Sequence, residues 1–228
     1  MKNILSKIKN NYYVSINDSN VTDFWTNKIC RRIAAFLVIL IYPTPITPNT
    51  ISIISLILTI YGVYQISYFN FEYASILIFL SFIMDCVDGQ LARERNTITV
   101  FGKYFDLIID NTKEIILFMY FIFYFSTNNY SFISFFALFI IIFSNMFDWI
   151  RKTLIMVVKE KKEKKMNLLS RYGIVFWSGP IRNFIIVFCL LIKKPEYIIL
   201  YTISIGLYFT IKKANIIYNL TKNTPNTS

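Results

Sequence analysis

The chain contains no histidine. That excludes imidazole acid/base catalysis, phosphohistidine intermediates and histidine-bound metals, because no other side chain titrates unperturbed near neutrality. Cysteine is scarce: Cys30, Cys86 and Cys189 lie far apart with no C-x-x-C spacing, so they indicate neither a disulfide framework nor a zinc site. They read as packing residues. Acidic residues number only 13 against 24 Lys and Arg. Residues 1–20 lack an apolar core of signal-peptide length, so no cleaved leader is expected and the start reads as a cytosolic tail. Internal repeats, Gly/Ser linkers and signs of a second domain are absent too. Any catalysis must therefore run on carboxylates, Lys, Arg, Tyr or a metal.

What is abundant is apolar. Of 228 residues 55% are hydrophobic and the mean hydropathy is +0.50, the profile of a polytopic membrane protein. A formal net charge of +11 suits nucleic acid in principle, but the cations cluster in particular loops and not on one basic face, so no nucleic-acid partner is expected. Apolar runs of membrane-spanning length fall at 49–69, 71–92, 101–125, 130–158, 174–192 and 197–220. The expected fold is all-α integral membrane, with six transmembrane helices. Ahead of them, "TDFWTNKICRRIAAFLVILIY" mixes Trp25, Lys28, Arg31 and Arg32 with apolar residues at helical spacing and reads as an N-terminal interfacial amphipathic helix. Pro43, Pro45 and Pro48 end it, and Asn49 is expected to cap the next helix. The chain thus divides into a tail and interfacial helix (1–48), a six-span domain (49–220) and a disordered tail (221–228).

Lys and Arg alternate between the connections. Lys2, Lys7, Lys9, Lys28, Arg31 and Arg32 precede the first run, Arg93, Arg95 and Lys103 lie between the second and third, and a dense basic stretch fills 151–171. "SYFNFEY" and "STNNYS" carry none. By the positive-inside rule both termini and the 85–110 region face the cytoplasm, with Lys193 and Lys194 the only dissent. The run "KEKKEKKMN" (159–167) suits a solvated helix end or contact with anionic lipid.

Four aspartates interrupt the second and third apolar runs. Asp85 and Asp88 are three apart, with Gly89 and Ala92 on the same helical stripe, and Asp106 and Asp110 are four apart, with Gly102 four before Asp106. Asp85 lies eight residues before Arg93 and Asp110 eight after Gly102, each about 12 Å along a helix. Two antiparallel helices would bring Asp85 level with Asp110 and Asp88 level with Asp106. Four ionised carboxylates in an apolar layer cost about 2.5–3.5 kcal/mol each before repulsion is counted. Bound cations are the natural compensation, and oxygen ligands without His or Cys favour Mg²⁺, Mn²⁺ or Ca²⁺. Gly89, Gly102 and Ala92 leave room for a ligand, and Arg93 offers a bidentate phosphate contact. The group suits a diphosphate held by one or two metals, with one carboxylate as general base.

These residues carry a resemblance. Asp85-x-x-Asp88-Gly89-x-x-Ala92-Arg93, eight residues, then Gly102-x-x-x-Asp106-x-x-x-Asp110 resembles, without departure, the signature of the CDP-alcohol phosphotransferase family. "TPNTIS" is similar to a Pro-Asn-x-x-Thr segment of many members, with Ser52 in place of Thr. The resemblance implies an enzyme that uses Mg²⁺ or Mn²⁺ to move a phosphatidyl group from a CDP-linked donor to an acceptor hydroxyl, with release of CMP. Asp85, Asp88 and Asp106 would be metal ligands, and Asp110 the general base and a further ligand. Asp88, Gly89, Ala92, Arg93 and Gly102 would line the CDP site, with Pro48 and Asn49 near the cytidine. A homodimer among membrane lipids is implied as well. CDP-diacylglycerol is the commonest donor in the family, and CDP-inositol, CDP-choline and CDP-ethanolamine stay open.

Arg151, Lys152, Arg171 and Arg182 are candidates for an anionic acceptor such as a phosphorylated polyol, and Arg182 lies furthest inside an apolar segment. Arg151 could equally pair with Asp148. Lys113 and Glu114 suit either an internal Lys–Glu contact or a hydrogen bond orienting Asp110. A divalent-cation channel or transporter is the alternative function. A pore needs access from both faces, whereas both deep aspartates lie within about 12 Å of one.

Overall fold

The computed structural model describes residue 6, residues 25–126, most of 135–150 and 179–222. Among the described residues there is no strand. Helix α1 (Arg31–Ile41) is entered through a wider π turn at Thr26–Cys30. Then come α2 (Pro48–Ser67), α3 (Phe71–Glu94), α4 (Val100–Ser126) and α5 (Gly179–Leu191). Helix α6 (Glu196–Tyr201) passes through a π turn at Thr202–Gly206 into α7 (Leu207–Lys222). The expected runs 49–69, 71–92 and 101–125 coincide with α2, α3 and α4 to within two residues at each end. The run 130–158 and the charged stretch 159–167 lie largely or wholly outside the described residues. Helices α2 and α3 are long and apolar enough to cross a membrane. Helix α4 is longer, but Lys103, Asp106, Asp110, Lys113 and Glu114 interrupt its apolar surface.

One expected cap is corrected. Thr47, not Asn49, caps α2: its backbone is extended, its hydroxyl accepts the Thr50 amide at 3.2 Å, and Pro48 takes the first helical position. Proline has no amide to leave unsatisfied there and its fixed φ suits the first turn, so the cap belongs to the residue before it.

The described residues fall into two compact units, one drawn from Met1–Tyr120 with Asn167–Lys194 and the other from Phe121–Met166 with Pro195–Ser228. The second contains α6 and α7. In the first, α3 is the central element, packing against α1, α2 and α5. Its core joins Ala34 and Val38 of α1, Ile51 of α2, and Ile83, Val87 and Leu91 of α3. Along the α2–α3 contact runs a polar seam. Thr59 and Ser81 share a 2.7 Å hydrogen bond, Ser81 donates to the Ser55 carbonyl at 2.7 Å, and Ser55 donates to the Ser52 carbonyl at 2.7 Å. Small hydroxyl side chains let two apolar helices approach closely and satisfy one another's polar groups. Gly62 sits at a close approach, where a Cβ would stand 2.9 Å from Ile78 Cγ1.

Helices α2, α3 and α5 end alike. In α3, Asn96 turns left-handed (φ 53°), its amide bonds the Arg93 carbonyl at 3.1 Å, and the Thr97 amide reaches back to Ala92 at 2.9 Å. This is the Schellman pattern, which satisfies the last carbonyls of a helix. Phe69 and Lys193 hold the equivalent left-handed positions after α2 and α5. Lys193 also pairs with Glu72 at 2.9 Å, tying the end of α5 to the start of α3.

Candidate functional site

Three helix ends build the site. The first turn of α2 supplies Pro48, Asn49 and Ser52, the last turns of α3 supply Asp85 to Arg93, and the first turns of α4 supply Gly102, Asp106 and Asp110. The Schellman turn at Asn96 reverses the chain after α3. Thr99 then receives the Gly102 amide on its hydroxyl at 2.9 Å, starting α4.

One oxygen from each of Asp85, Asp88 and Asp106 lies within 4.8 Å of the other two. Asp88 is buried, and Ser52 Oγ donates to its Oδ2 at 2.5 Å. Asp110 joins the group by another route. Lys113 Nζ forms ion pairs with Asp110 Oδ1 at 2.7 Å and with Asp85 Oδ1, and lies 3.3 Å from Ser55 Oγ. One ammonium thus links α2, α3 and α4. The spacing explains it: Lys113 follows Asp110 by one helical turn and so shares its face. Glu114, four after Asp110, lies on the other flank of the same stripe and pairs with Arg182 of α5. Of the two roles open to Lys113 from sequence, the contact with the aspartates is the one formed.

Beside the carboxylates is a cavity of about 430 Å³. Pro48, Asn49, Asp88, Gly89, Ala92, Arg93 and Gly102 all line it, together with Ser52 and Asp106. Asp85 and Asp110 are not among its lining residues. A Cβ on Gly89 would meet nothing but the Arg93 guanidinium, at 3.5 Å and beyond, and one on Gly102 would stand 3.0 Å from Thr99 Oγ1 and 3.6 Å from Asn49 Oδ1. Both glycines therefore hold space open on the cavity side. Arg182 is buried with its charge met by Glu114. Arg151, Lys152 and Arg171 lie outside the described residues.

The profile of CDP-alcohol phosphatidyltransferases matches residues 45–212, which takes in α2 through α6 and every element of the site. The chain belongs to the CDP-alcohol phosphatidyltransferase family. It is accordingly a phosphotransferase, of a family that is membrane-integral and uses divalent metals. Among solved structures, the fold is similar to that of phosphatidylinositol phosphate synthase from Mycobacterium tuberculosis, determined with CDP-DAG bound. The TM-score is 0.58 at 14% identity, covering 87% of this chain and 96% of that one. No curated protein sequence matches the chain significantly.

The residues fit the metal this family uses. Three carboxylates converge, with no nitrogen or sulfur donor in the group, and that donor set suits Mg²⁺ or Mn²⁺. Sequence reasoning overlooked four lining residues in particular: Thr47, Arg95, Thr99 and Lys103. Thr-Pro at 47–48 and Thr-x-x-Gly at 99–102 were legible as helix starts. Arg95 carried no such signal, because its partners lie about fifty residues earlier in the chain.

Proposed function

We propose that the chain transfers a phosphatidyl group from a CDP-linked lipid, CDP-diacylglycerol, to the hydroxyl of an alcohol acceptor and releases CMP. The observation that carries this reading is the approach of the Asp85, Asp88 and Asp106 carboxylates beside a cavity lined by Gly89, Ala92, Arg93 and Gly102 of the family signature. Asp85, Asp88 and Asp106, with Asp110, would hold one or two Mg²⁺ or Mn²⁺ ions. A metal held there would supply the neutralisation of diphosphate charge that phosphoryl transfer generally requires.

The protein's own groups perform the remaining tasks. Asp110 accepts the proton of the acceptor hydroxyl as its oxygen bonds to the donor phosphorus, and the bond from that phosphorus to the CMP oxygen breaks. Arg93 meets the diphosphate, and Gly89, Ala92 and Gly102 leave it room. Pro48 and Asn49 lie toward the cytidine. Ser52 orients Asp88, and Lys113 holds Asp110 and Asp85 in register. An anionic acceptor such as a phosphorylated polyol would be read by Arg151, Lys152, Arg171 and Arg182.

Six spans, with α1 along the interface, would keep the donor's acyl chains in lipid while its headgroup reaches the cavity. The Lys and Arg alternation supports a cytoplasmic site and cytoplasmic termini. Lys193 fits that scheme as the partner of Glu72 at the opposite end of α3. A homodimer is the expected assembly, on the family resemblance.

The test is CMP release by detergent-purified protein with Mg²⁺ or Mn²⁺ and CDP-diacylglycerol across a panel of acceptors. Metal-dependent CMP that requires one acceptor and disappears in Asp110→Asn is the expected result. Absence of CMP from CDP-diacylglycerol, CDP-inositol, CDP-choline and CDP-ethanolamine alike, with metal still bound, would overturn the proposal in favour of cation transport.

A further inference from the structure

Arg95 lines the cavity, and a second arginine beside a diphosphate pocket would ordinarily be taken for a phosphate ligand. Its hydrogen bonds point elsewhere. Nη1 donates to the Ile46 carbonyl at 2.5 Å, and Nη2 to those of Ile41, Tyr42 and Thr44 at 3.0, 2.9 and 2.7 Å. The guanidinium also stands 5.7 Å from the centre of the Tyr42 ring. Both terminal nitrogens are taken up by one short stretch of backbone.

That stretch cannot hold itself. "YPTPITP" has prolines at 43, 45 and 48, which donate nothing, so the carbonyls of Ile41 and Thr44 find no amide four residues on. Its internal bonds are few: the Thr44 amide and hydroxyl both reach the Ile41 carbonyl, and the Ile46 amide reaches Thr44 Oγ1 at a long 3.4 Å. The carbonyls that Arg95 collects include the C-terminal end of α1, where the helix dipole favours a cation. Arg95 is itself held at the end of α3 by its amide bond to the Leu91 carbonyl at 3.0 Å and by the Schellman turn that follows. The segment it grips runs directly into Thr47, Pro48 and Asn49, which form one wall of the cavity.

We propose that Arg95 is a positioning residue: it clamps the 41–46 segment to the end of α3, thereby setting the Thr47–Asn49 wall and the affinity for the nucleotide end of the donor. This rests on the reading of the cavity as the CDP site. The carboxylates sit on α3 and α4, outside the clamped segment, so loss of the clamp weakens nucleotide binding and leaves the chemical step largely intact.

The test uses full-length protein in detergent, measuring CMP binding by calorimetry and kcat and KM for CDP-diacylglycerol. Arg95→Gln is expected to raise both the CMP Kd and KM roughly tenfold, with kcat held within about threefold. Arg95→Lys is expected to fail like Arg95→Gln, because one ammonium on a flexible stem cannot serve four carbonyls. Pro45→Gly loosens the same segment without touching Arg95 and is expected to raise KM in the same direction, so it carries the test if the Arg95 variants do not fold. Wild-type values in Arg95→Lys, a fall in kcat at unchanged KM, or an unchanged KM in Pro45→Gly each overturn the proposal. Wild-type protein that binds no CMP overturns the CDP-site reading and this inference with it. CMP binding equal in wild type and Arg95→Gln overturns this inference alone.

Discussion

Lys113→Met removes the ammonium that joins three helices at the carboxylate group. In the metal-free protein it leaves Asp85 and Asp110 facing each other and the other acids without an ammonium. Removing one partner from a fully buried ion pair costs about 3–5 kcal/mol. The Lys113 side chain is 11% exposed and that of Asp85 21%, so most of this applies to their pair. Asp110 is 45% exposed, and its pair with Lys113 adds only tenths of a kcal/mol under solvent screening. The expected loss is therefore roughly 2–3 kcal/mol in chelator, allowing for the exposed fraction of Asp85. For a chain of this length that lowers Tm by roughly 4–12 °C. A divalent cation can do the same neutralisation, and without Lys113 competing for Asp85 and Asp110 the variant binds it more tightly than wild type, so that a hundredfold lower Kd returns about 2.7 kcal/mol of the deficit. The measurement is fluorescence-monitored thermal unfolding of wild type and Lys113→Met, in EDTA and in Mn²⁺. The Tm deficit should be large in EDTA and mostly recovered in Mn²⁺. A deficit of equal size in both, or none in EDTA, would refute the assignment of Lys113 as internal counter-ion to the carboxylates proposed to hold metal.

Ser52→Ala deletes the hydroxyl that bonds buried Asp88 and is expected to reduce CMP release roughly tenfold, about the worth of one hydrogen bond to a charged group. Ser52→Thr, which keeps the hydroxyl, should retain most of the activity in the same assay. Gly62→Leu is expected to destabilise by about 1–3 kcal/mol or more through overpacking against Ile78, seen as a lowered Tm. A smaller residue tests the same contact: Gly62→Ala should also lower Tm, by less than Gly62→Leu, since Ile78 Cγ1 sits next to the branch of a stiff, buried side chain and cannot move aside cheaply. Phe69→Gly should stabilise by about 1 kcal/mol, because Phe69 is left-handed (φ 60°) and 68% exposed, so the strain outweighs the little burial it loses.

Much of the site could be read along the chain. The aspartate pairs, Gly89, Ala92 and Gly102 repeat at helical spacing, so each helix displays its part of the signature on one face whatever it packs against. Apolar runs and proline breaks likewise set where α2, α3 and α4 begin and end, because those signals act within a turn or two of the backbone. The cap of α2 was misassigned by two residues, since an Asn in a first turn and a Thr before a proline both satisfy amides and only the backbone angles choose between them. What sequence alone determined is therefore which residues share a face, and that four carboxylates in an apolar chain need cations.

The tertiary structure decided which faces meet. Lys113 bonds Asp85 across 28 residues and Arg182 bonds Glu114 across 68, while Arg95 reaches back to the backbone from Ile41 to Ile46. Each of these choices depends on how far a helix is rotated about its own axis against its neighbour. That rotation is set by the summed packing of small and large side chains along the whole contact, and no local run of residues specifies it.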